Sequence, residues 1–164
     1  MVHLIPMTEI EFQAYRQTAV REYAEEHVKA GNWHPADAPE KSEKEFQSYL
    51  PDGLATPNQY LYMIEDESPA NVGLIWLAAV NQGAQRFAFI YDFVIYESFR
   101  RKGYGQQALF AAEEKVKALG LDTISLHVFG HNQAAIALYE KAGYEITNLQ
   151  MSKKLNATGH IQNP

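Results

Sequence analysis

The feature that most constrains this chain is a cationic, glycine-bearing turn that joins an apolar strand to a helix. A short apolar run bounded by turns predicts the strand over Phe87 to Ile95, and the turn RRKGYG occupies residues 100–105. A helical stripe follows from Tyr104 to Leu119, and a further strand is predicted from Thr123 to Val128. Since a helix separates the two strands, they are expected to pair in parallel. The turn then lies at the carboxyl end of a strand where strand direction changes, a common ligand site in open sheets.

The remaining segments predict helices and strands around this unit. Thr8 followed by Glu11 is a capping-box signature, and apolar residues at helical spacing predict a helix from Glu9 to Ala30. A second helix is expected to start near Pro35 and to run to Leu50. The other predicted elements are strands at Val2 to Ile5, Tyr60 to Glu65 and Val72 to Val80, a helix at Asn132 to Ala142, and a last strand from Tyr144 to about Lys153. This order predicts an α/β fold with a mixed, mostly antiparallel sheet and about four flanking helices.

Composition bounds the organisation of the chain and excludes several kinds of site. Its 164 residues fit one domain, placed at 1–155, followed by a polar tail at 156–164 that is expected to be flexible. With no cysteine, the chain has no disulfide, thiolate zinc site, iron–sulfur cluster or catalytic thiol. A net charge of −6 argues against nucleic acid, and the longest apolar stretch, Val72 to Val80, is far shorter than the roughly 20 residues that span a bilayer. We therefore expect a cytoplasmic protein with no nucleic-acid or membrane partner.

The turn itself has the chemistry of a phosphate site. Glycines let an anion approach the backbone closely, and the first N–H groups of a helix present its positive dipole end. A loop of solvated charges is the competing interpretation. A dinucleotide fingerprint is formally present, since Gly103, Gly105 and Ala108 satisfy GxGxxA and Asp122 follows about 20 residues later. That match is superficial, because a charged hexapeptide separates Gly103 from the strand and Asp122 precedes its own strand.

The turn matches a second phosphate-binding pattern, RxxGxG, through Arg100, Gly103 and Gly105. With DFVIYESFRRKGYGQQAL around it, the segment resembles motif A of the GNAT superfamily of acyl-CoA-dependent N-acyltransferases. The sequence departs from the family pattern at Glu97, where the family often has Pro, and at Arg101, where it often has Gly. Neither departure removes a backbone donor.

A second motif of the same family follows in the expected order. The stretch HNQAAIALYEKAGYE resembles motif B, with Asn132, Ala135, Tyr139 and Gly143 in the matching positions. The stretches KAGNW and LPDGLATP also resemble those of a bacterial subgroup of the family. The resemblance covers the whole order of elements from Val2 to about Lys154.

The resemblance implies a GNAT-like fold with a splayed central parallel pair of strands, between which pantetheine inserts. It also implies acetyl-CoA as co-substrate, with the pyrophosphate held by backbone N–H groups of the turn. The cofactor-binding residues implied in this way are Phe93, Val94, Ile95, Arg100, Arg101, Lys102, Gly103, Tyr104, Gly105, Gln106, Asn132, Ala135 and Tyr139. Tyr139 is further implied as the acid that protonates the departing thiolate, since a phenol with a pKa near 10 is protonated at neutral pH. From the tyrosine alone, packing of the helix against the sheet is the competing interpretation.

The general base is less well defined by the sequence. The glutamate that some family members carry in the central strand corresponds here to Phe89. Asp92 is the one carboxylate inside this otherwise apolar strand, and it is either a structural acceptor or a base that acts through water. Tyr91 is expected on the opposite face from Asp92, because side chains alternate along a strand. Asp92 and Tyr139 are therefore the candidate catalytic residues.

The acceptor is expected to bind beside the first helix. Glu26 and His27 of that helix, Trp33 in the following loop and Tyr91 are the candidate substrate-binding residues. A solvated helix face and a loop aromatic packed on the sheet are the competing interpretations of the first three.

These features together predict an enzyme that transfers an acetyl group from acetyl-CoA to a primary amine of a small molecule or peptide. A noncatalytic acyl-CoA-binding module is the alternative function. The sequence is also compatible with a homodimer. No metal is expected, since His127 and His131 span a strand end and a turn and do not form a metal-binding pair.

Overall fold

The computed structural model describes residues 1–155 and contains one mixed sheet. Its strands are β1 (Val2–Pro6), β2 (Gln59–Asp66), β3 (Asn71–Gln82), β4 (Gln85–Ile95) and β5 (Ile124–Leu126). They lie in the order β1-β2-β3-β4-β5; the first three pairings are antiparallel, and β4 pairs with β5 in parallel. The predicted mixed sheet and its parallel pair are confirmed. The predicted tail, 156–164, lies outside the described residues.

Four α-helices flank the sheet in the described part of the chain. They are α1 (Glu9–Lys29), α2 (Ala38–Tyr49), α3 (Tyr104–Ala118) and α4 (Gln133–Lys141). The capping box that starts α1 is confirmed: the Thr8 N–H donates to Glu11 Oε2 at 2.8 Å, and the Glu11 N–H donates to Thr8 Oγ1 at 3.3 Å. α2 begins three residues after Pro35, because a turn with Asp37 N–H donating to His34 O at 3.0 Å comes first. Within residues 1–155, no helix has both the length and the apolar content that crossing a membrane requires.

The helices form two layers, one on each face of the sheet. α1 and α2 cover one face with a core that includes Phe12, Tyr15, Phe46, Leu74 and Trp76. α3 and α4 cover the other face with a core that includes Ile75, Leu77, Ile90, Leu109 and Leu138. Successive residues of β3 thus enter opposite cores, which explains why its sequence is apolar without a break.

A β-bulge and a gap in strand pairing open the centre of the sheet. Trp76 lies opposite Asp92 while Leu77 lies opposite Ile90, so Tyr91 is an extra residue without a partner on β3. The parallel pairing of β4 with β5 stops at Ile90. From Tyr91 onward, β4 therefore presents an edge that β5 does not cover, which is the splay that the resemblance implied.

The bulge corrects one expectation about the site. Tyr91 and Asp92 do not lie on opposite faces of the sheet: Asp92 accepts a hydrogen bond from Tyr15 of α1, and the Tyr91 ring lies 4.7 Å from the ring of Tyr49 of α2. Both side chains face the layer formed by α1 and α2. The alternation of side chains fails here because the extra residue changes the phase of the strand.

The predicted strand from Tyr144 to Lys153 is wrong. Residues 144–155 follow α4 as irregular chain with no strand pairing to the rest of the described protein. β5 is also shorter than the predicted Thr123 to Val128, and within residues 1–155 it pairs only with β4. A strand-like sequence becomes a strand only where a neighbouring edge pairs with it, and that requirement cannot be read from local pattern.

Candidate active site

A run of unpaired backbone donors lies at the start of α3. Among the described residues, no acceptor takes the N–H of any residue from 101 to 106, and the first helical bond runs from Gln107 N–H to Gly103 O at 3.2 Å. The N–H groups of a helix's first turn have no partner within the helix and carry its positive dipole end. The cationic turn and the first turn of α3 thus form an anion-binding cradle, defined here as residues 101–106.

The backbone of the cradle depends on two left-handed residues. Gly103 caps α3 with φ +83°, and Arg101 has φ +59°. A left-handed conformation costs a non-glycine residue roughly 1–2 kcal/mol, whereas glycine adopts it freely. Arg101, where this sequence departs from the family pattern, thus keeps the conformation that glycine favours and adds a positive charge.

Gly105 allows α3, α4 and β4 to meet at the cradle. A Cβ at this position would lie 2.9 Å from Leu138 Cδ2 of α4 and 3.7 Å from Ile95 Cγ1 of β4. A larger residue would therefore force the Leu138 side chain of α4 to move. The glycine allows the close packing of α4 against the start of α3.

The three cations of the turn remain available to an anion. Arg100 donates from Nε to the backbone oxygen of Ile95 at 2.9 Å, which ties the turn to the end of β4. Lys102 Nζ lies 5.4 Å from the centre of the Phe99 ring. Within residues 1–155, none of Arg100, Arg101 and Lys102 forms an ion pair with a carboxylate. Tyr104 differs, because its hydroxyl donates to Asp66 Oδ2 at 3.0 Å and only its backbone N–H belongs to the cradle.

Phe93, Val94 and Ile95 form the end of β4 beside the cradle. Val94 and Ile95 pair with Leu74 and Gly73 of β3, and no other strand of the described chain pairs with their second edge. All three side chains are partly buried. The segment therefore lies where the sheet opens and leads directly into the cationic turn.

Tyr139 projects from α4 toward the open end of β4. Its ring centre lies 6.3 Å from that of Phe93 and 5.7 Å from that of Tyr144. Burial, with a smaller contribution from the negative charge of Asp92, raises the pKa of Tyr139 to about 12. The phenol is therefore protonated at neutral pH, and its hydroxyl has no hydrogen-bond partner within residues 1–155.

Asn132 and Ala135 set the start of the helix that carries Tyr139. Asn132 is the N-cap of α4, and its Oδ1 accepts the Ala135 N–H at 3.2 Å. The side-chain amide nitrogen of Asn132 is left without a hydrogen-bond partner among the described residues. The cap therefore aligns α4 and still provides a donor on the side of the site.

Asp92 lies at the bulge and is held by α1. The hydroxyl of Tyr15 donates to Asp92 Oδ2 at 2.9 Å. Burial raises the pKa of Asp92 to about 6, against the opposing hydrogen bonds from Tyr15 and from the Phe93 N–H, and the charge of Glu22 raises it further. The group is thus a carboxylate at neutral pH with an affinity for a proton well above that of an ordinary aspartate.

His27 and Trp33 come together in an aromatic cluster at the end of α1, and Glu26 contacts the edge of this cluster through His131. The His27 ring stacks on Trp33 with centres 3.9 Å apart and meets Phe129 edge to face at 5.0 Å. Glu26 Oε2 and His131 Nε2 lie within hydrogen-bonding distance of each other. Burial lowers the pKa of His27, whose Nε2 is buried and has no hydrogen-bond partner in the part of the chain that the structure describes. Tyr91 is not part of this cluster and packs instead against Tyr49 and Trp76.

Sequence reasoning missed two parts of this arrangement. No local signal in the sequence links Tyr15 of α1 to Asp92 of β4. Phe129 and His131, in the loop between β5 and α4, contact the end of α1 across about 100 residues of sequence. His34, in the loop after α1, does not make such a long-range contact within residues 1–155. Its Nδ1 accepts a hydrogen bond from the Ala36 N–H at 3.2 Å within the same turn. Among the described residues, no group of three His, Asp or Glu side chains is placed to hold a metal ion.

Comparison with known proteins identifies the family. The sequence profile of the Acetyltransferase (GNAT) family matches residues 16–144, which include α1 from Arg16 onward, the sheet from β2 to β5, the cradle and Tyr139. The chain belongs to the GNAT acetyltransferase family. Motif A and the four motif B positions named above, Asn132, Ala135, Tyr139 and Gly143, all lie inside the matched region.

Two relatives match nearly the whole acetyltransferase chain. It is 44% identical over 154 residues to the N-acetyltransferase YycN of Bacillus subtilis, and this alignment covers 94% of this chain and 99% of YycN. It is 40% identical over 149 residues to the N-acetyltransferase YdgE of the same organism, and this alignment covers 91% of this chain and 95% of YdgE. The crystal structure of YycN superposes with a TM-score of 0.90 and covers 95% of this chain and 99% of that structure. The GNAT fold is thereby confirmed.

Proposed function

We propose that this GNAT acetyltransferase transfers an acetyl group from acetyl-CoA to a primary amine of a small molecule or peptide. The observation that carries the proposal is the run of unpaired N–H groups from 101 to 106 at the opening of the sheet. Residues 1–155 act in this proposal as one catalytic domain, working in the cytoplasm. No metal takes part.

The chemistry of the cradle fits the pyrophosphate of acetyl-CoA. A diphosphate carries negative charge and oxygen acceptors, and the cradle offers backbone donors, a helix N-terminus and three cations without ion pairs in the described chain. The free edge of Phe93, Val94 and Ile95 suits the amide groups of pantetheine, which pair as an added strand does. Asn132 provides a further donor from the start of α4. These features support acetyl-CoA over a nucleotide that lacks a pantetheine arm.

The thioester of acetyl-CoA supplies an activated acyl group, and the amine attacks its carbonyl directly. Asp92 accepts the proton that the amine must lose, through water, since its pKa of about 6 leaves it ionised at neutral pH. Tyr139 holds a proton at neutral pH, as its pKa is about 12, and gives it to the CoA sulfur as the thiolate leaves. A backbone N–H of β4 beside the bulge stabilises the negative charge on the carbonyl oxygen.

The acceptor binds on the side of the sheet covered by α1 and α2. Glu26, His27 and Trp33 border it at the end of α1, and Tyr91 borders it at the bulge. Tyr91 and Asp92 contact the same helix layer, and this supports a binding role for Tyr91 beside the proposed base. Carboxylates and aromatic faces both favour a cationic amine.

A thiol-release assay tests the proposal. The protein is mixed with acetyl-CoA and a panel of primary amines that includes diamines, amino sugars and peptides with free N-termini, and free CoA thiol is titrated. We expect acceptor-dependent thiol release with at least one amine, together with a mass gain of one acetyl group on that amine. Tight binding of acetyl-CoA without turnover of any amine would instead support the noncatalytic acyl-CoA-binding module.

A further inference from the structure

A partly buried carboxylate on α2 has no positive charge beside it. Glu45 accepts a hydrogen bond from the Tyr23 hydroxyl at 2.8 Å, and no cationic side chain of residues 1–155 lies within ion-pair distance of it. Three exposed carboxylates of the same two helices do pair with a cation: Glu25 with Arg21, Glu40 with Lys44 and Glu43 with Arg16. A carboxylate needs a counter-charge more as it becomes more buried. The described chain thus leaves unpaired the carboxylate for which a partner matters more.

His27 does not supply the missing charge. The negative charge of Glu45 acts on its imidazole, but burial is the larger effect and lowers the pKa of His27 below its ordinary value. The ring is therefore neutral at neutral pH. Residues 156–164, which lie outside the described part of the chain, contain no lysine or arginine. A cation for Glu45 has to be sought in a ligand.

Aromatic rings lie beside this carboxylate. Tyr49 follows Glu45 by one turn of α2, and the centre of its ring lies 4.7 Å from that of Tyr91 on β4. Burial, the hydrogen bond to Glu45 and the nearby hydroxyls of Tyr49 and Tyr91 all raise the pKa of Tyr23. The four side chains Tyr23, Glu45, Tyr49 and Tyr91 are called here the phenol box. Tyr49 is 38% exposed, so the box meets solvent on that side.

The phenol box has the composition of a cation site. Aromatic faces attract an ammonium group, and a carboxylate adds a charge-assisted hydrogen bond. Tyr91 is the extra residue of the bulge and precedes Asp92, the proposed base, and both face the layer formed by α1 and α2. The box therefore lies on the acceptor side of the sheet, beside the place where the amine is proposed to react.

A nitrogen held by Glu45 is not the nitrogen that reacts. Aliphatic amines are cations at neutral pH, and a carboxylate partner stabilises the protonated form. A protonated nitrogen has no lone pair with which to attack a thioester. The cation that suits the box is therefore a second group of the acceptor, separate from the amine that is acetylated.

We propose that the phenol box binds a second, protonated amino group of the acceptor, and that the acceptors of this acetyltransferase are aliphatic diamines or polyamines. The inference rests on the proposed function, since it concerns the acceptor of that reaction. The amide bond forms at the first nitrogen as the bond between the acetyl carbon and the CoA sulfur breaks, with the protons transferred as described above. The second nitrogen keeps its proton throughout.

Binding is measured first, because it does not require turnover. Calorimetry at pH 7 compares diaminoalkanes of three to six carbons with the monoamines of the same chain length. We expect at least one diamine to bind at least about tenfold more tightly than its matched monoamine, as a charge-assisted hydrogen bond provides. Equal affinities within every matched pair, or no measurable binding of any diamine up to about 10 mM, overturns the proposal.

Glu45→Gln tests the carboxylate itself. Glutamine can still accept the hydrogen bond from Tyr23, so the substitution removes the charge and keeps the shape of the box. We expect the preference for the diamine to fall at least about tenfold. The variant should keep at least the wild-type Tm, because it removes a partly buried charge that has no counter-charge in the described chain.

Glu43→Gln is the matched control. Glu43 lies two residues away on the same helix, is exposed and pairs with Arg16, so its substitution changes the net charge by the same amount outside the box. It should keep the wild-type preference for the diamine. A preference that survives in Glu45→Gln, or that Glu43→Gln reduces as much, overturns the proposal.

Turnover separates this inference from the proposed function. In the thiol-release assay, kcat/KM for the preferred diamine should exceed that for the matched monoamine by at least about tenfold, and Glu45→Gln should remove most of this ratio. Turnover of both amines with equal kcat/KM would uphold the acetyltransferase and overturn the role of the phenol box. Diamine binding that depends on Glu45, without turnover of any amine, would uphold the box as a cation site and contradict the proposed function.

Discussion

The hydroxyl of Tyr15 donates a 2.9 Å hydrogen bond to Oδ2 of Asp92 and so joins α1 to the bulge of β4 across 77 positions of sequence. Burial and the charge of Asp92 hold the pKa of Tyr15 well above its ordinary value, so this phenol remains a donor. The hydrogen bond favours the carboxylate form of Asp92, while burial favours the acid, and burial dominates. Tyr15 therefore sets how far the pKa of Asp92 rises.

The pH dependence of turnover should show this relationship. If Asp92 is the base, kcat/KM rises with pH through about 6, where Asp92 loses its proton. Tyr15→Phe removes a hydrogen bond to a charged group, which is worth about 1.5–3 kcal/mol. The pH at which kcat/KM rises, the acid limb of the profile, should therefore increase by about one pH unit or more. The measurement is a pH profile of kcat/KM from 5 to 9 with a reactive amine.

Asp92→Asn is the control for this profile and should remove both the limb and most of the activity. Stability gives an independent check. Because the pKa of folded Asp92 lies above the ordinary value of 3.8, the native state binds more protons than the unfolded chain between about pH 4 and 6. The contribution of Asp92 to the free energy of unfolding therefore falls as pH rises through this window. A pH profile that is identical in wild type and Tyr15→Phe would exclude Asp92 as the titrating base.

Gly103→Val tests the location of the pyrophosphate. The added side chain would project into the cradle, where, among the atoms of residues 1–155, only Gln107 Nε2 lies near the new Cβ, at 3.7 Å. We expect at least a tenfold loss of acetyl-CoA affinity by calorimetry, together with a loss of stability of about 1–2 kcal/mol from the left-handed backbone.

Gly120→Val is the matched variant, because Gly120 has a similar φ of +73° and open space at the opposite end of α3. It should lose comparable stability and keep its affinity for acetyl-CoA. Equal loss of affinity in the two variants would mean that the cradle is not the binding site.

The order of elements could be predicted from the sequence because its signals are local. The capping box at Thr8, the glycine-bearing turn before α3 and the Asn132 cap of α4 each act within a few residues. The antiparallel strands and the parallel pair followed from apolar runs and from the helix between β4 and β5. These local features were sufficient to predict the order of elements and the position of the cradle.

The parts that were missed depend on contacts between distant residues. Nothing near Tyr91 indicates that it is the extra residue of a bulge, since the shift appears only in the register with β3. The partnership of Tyr15 with Asp92 requires α1 to cross the sheet at one particular strand. The sequence from 144 to 153 has strand character, but the structure pairs it with nothing in the described chain.

Gly105→Val should disturb the contact between α3 and α4. Overpacking of a close contact typically reduces stability by about 1–3 kcal/mol, and here the new side chain would push on Leu138. Leu138→Ala in the same protein should recover part of this loss, with a coupling of at least about 0.5 kcal/mol in urea unfolding. Strict additivity of the two substitutions would contradict the packing role of Gly105.

Tyr139→Phe tests the proposed acid. The change removes one hydroxyl from a ring that packs near Phe93 and Tyr144, so stability and acetyl-CoA affinity should change little. Turnover with a verified amine should fall by about 10² to 10⁴, toward the low end because a thiolate with a pKa near 8.5 is already a fair leaving group. Tyr144→Phe is the comparison, since this neighbouring buried phenol has no assigned role. Full turnover in Tyr139→Phe would leave the residue with a packing role only.

The most direct test of acetyl-CoA as the ligand of the cradle is the thermal unfolding of the wild-type protein with acetyl-CoA and, separately, with NADH. Acetyl-CoA at about a thousand times its dissociation constant should stabilise the native state by about 4 kcal/mol and raise Tm by about 10 °C. NADH at the same concentration shares the pyrophosphate but has no pantetheine to enter the opening between β4 and β5, so its shift should be small by comparison. A rise in Tm with NADH and none with acetyl-CoA would contradict the account.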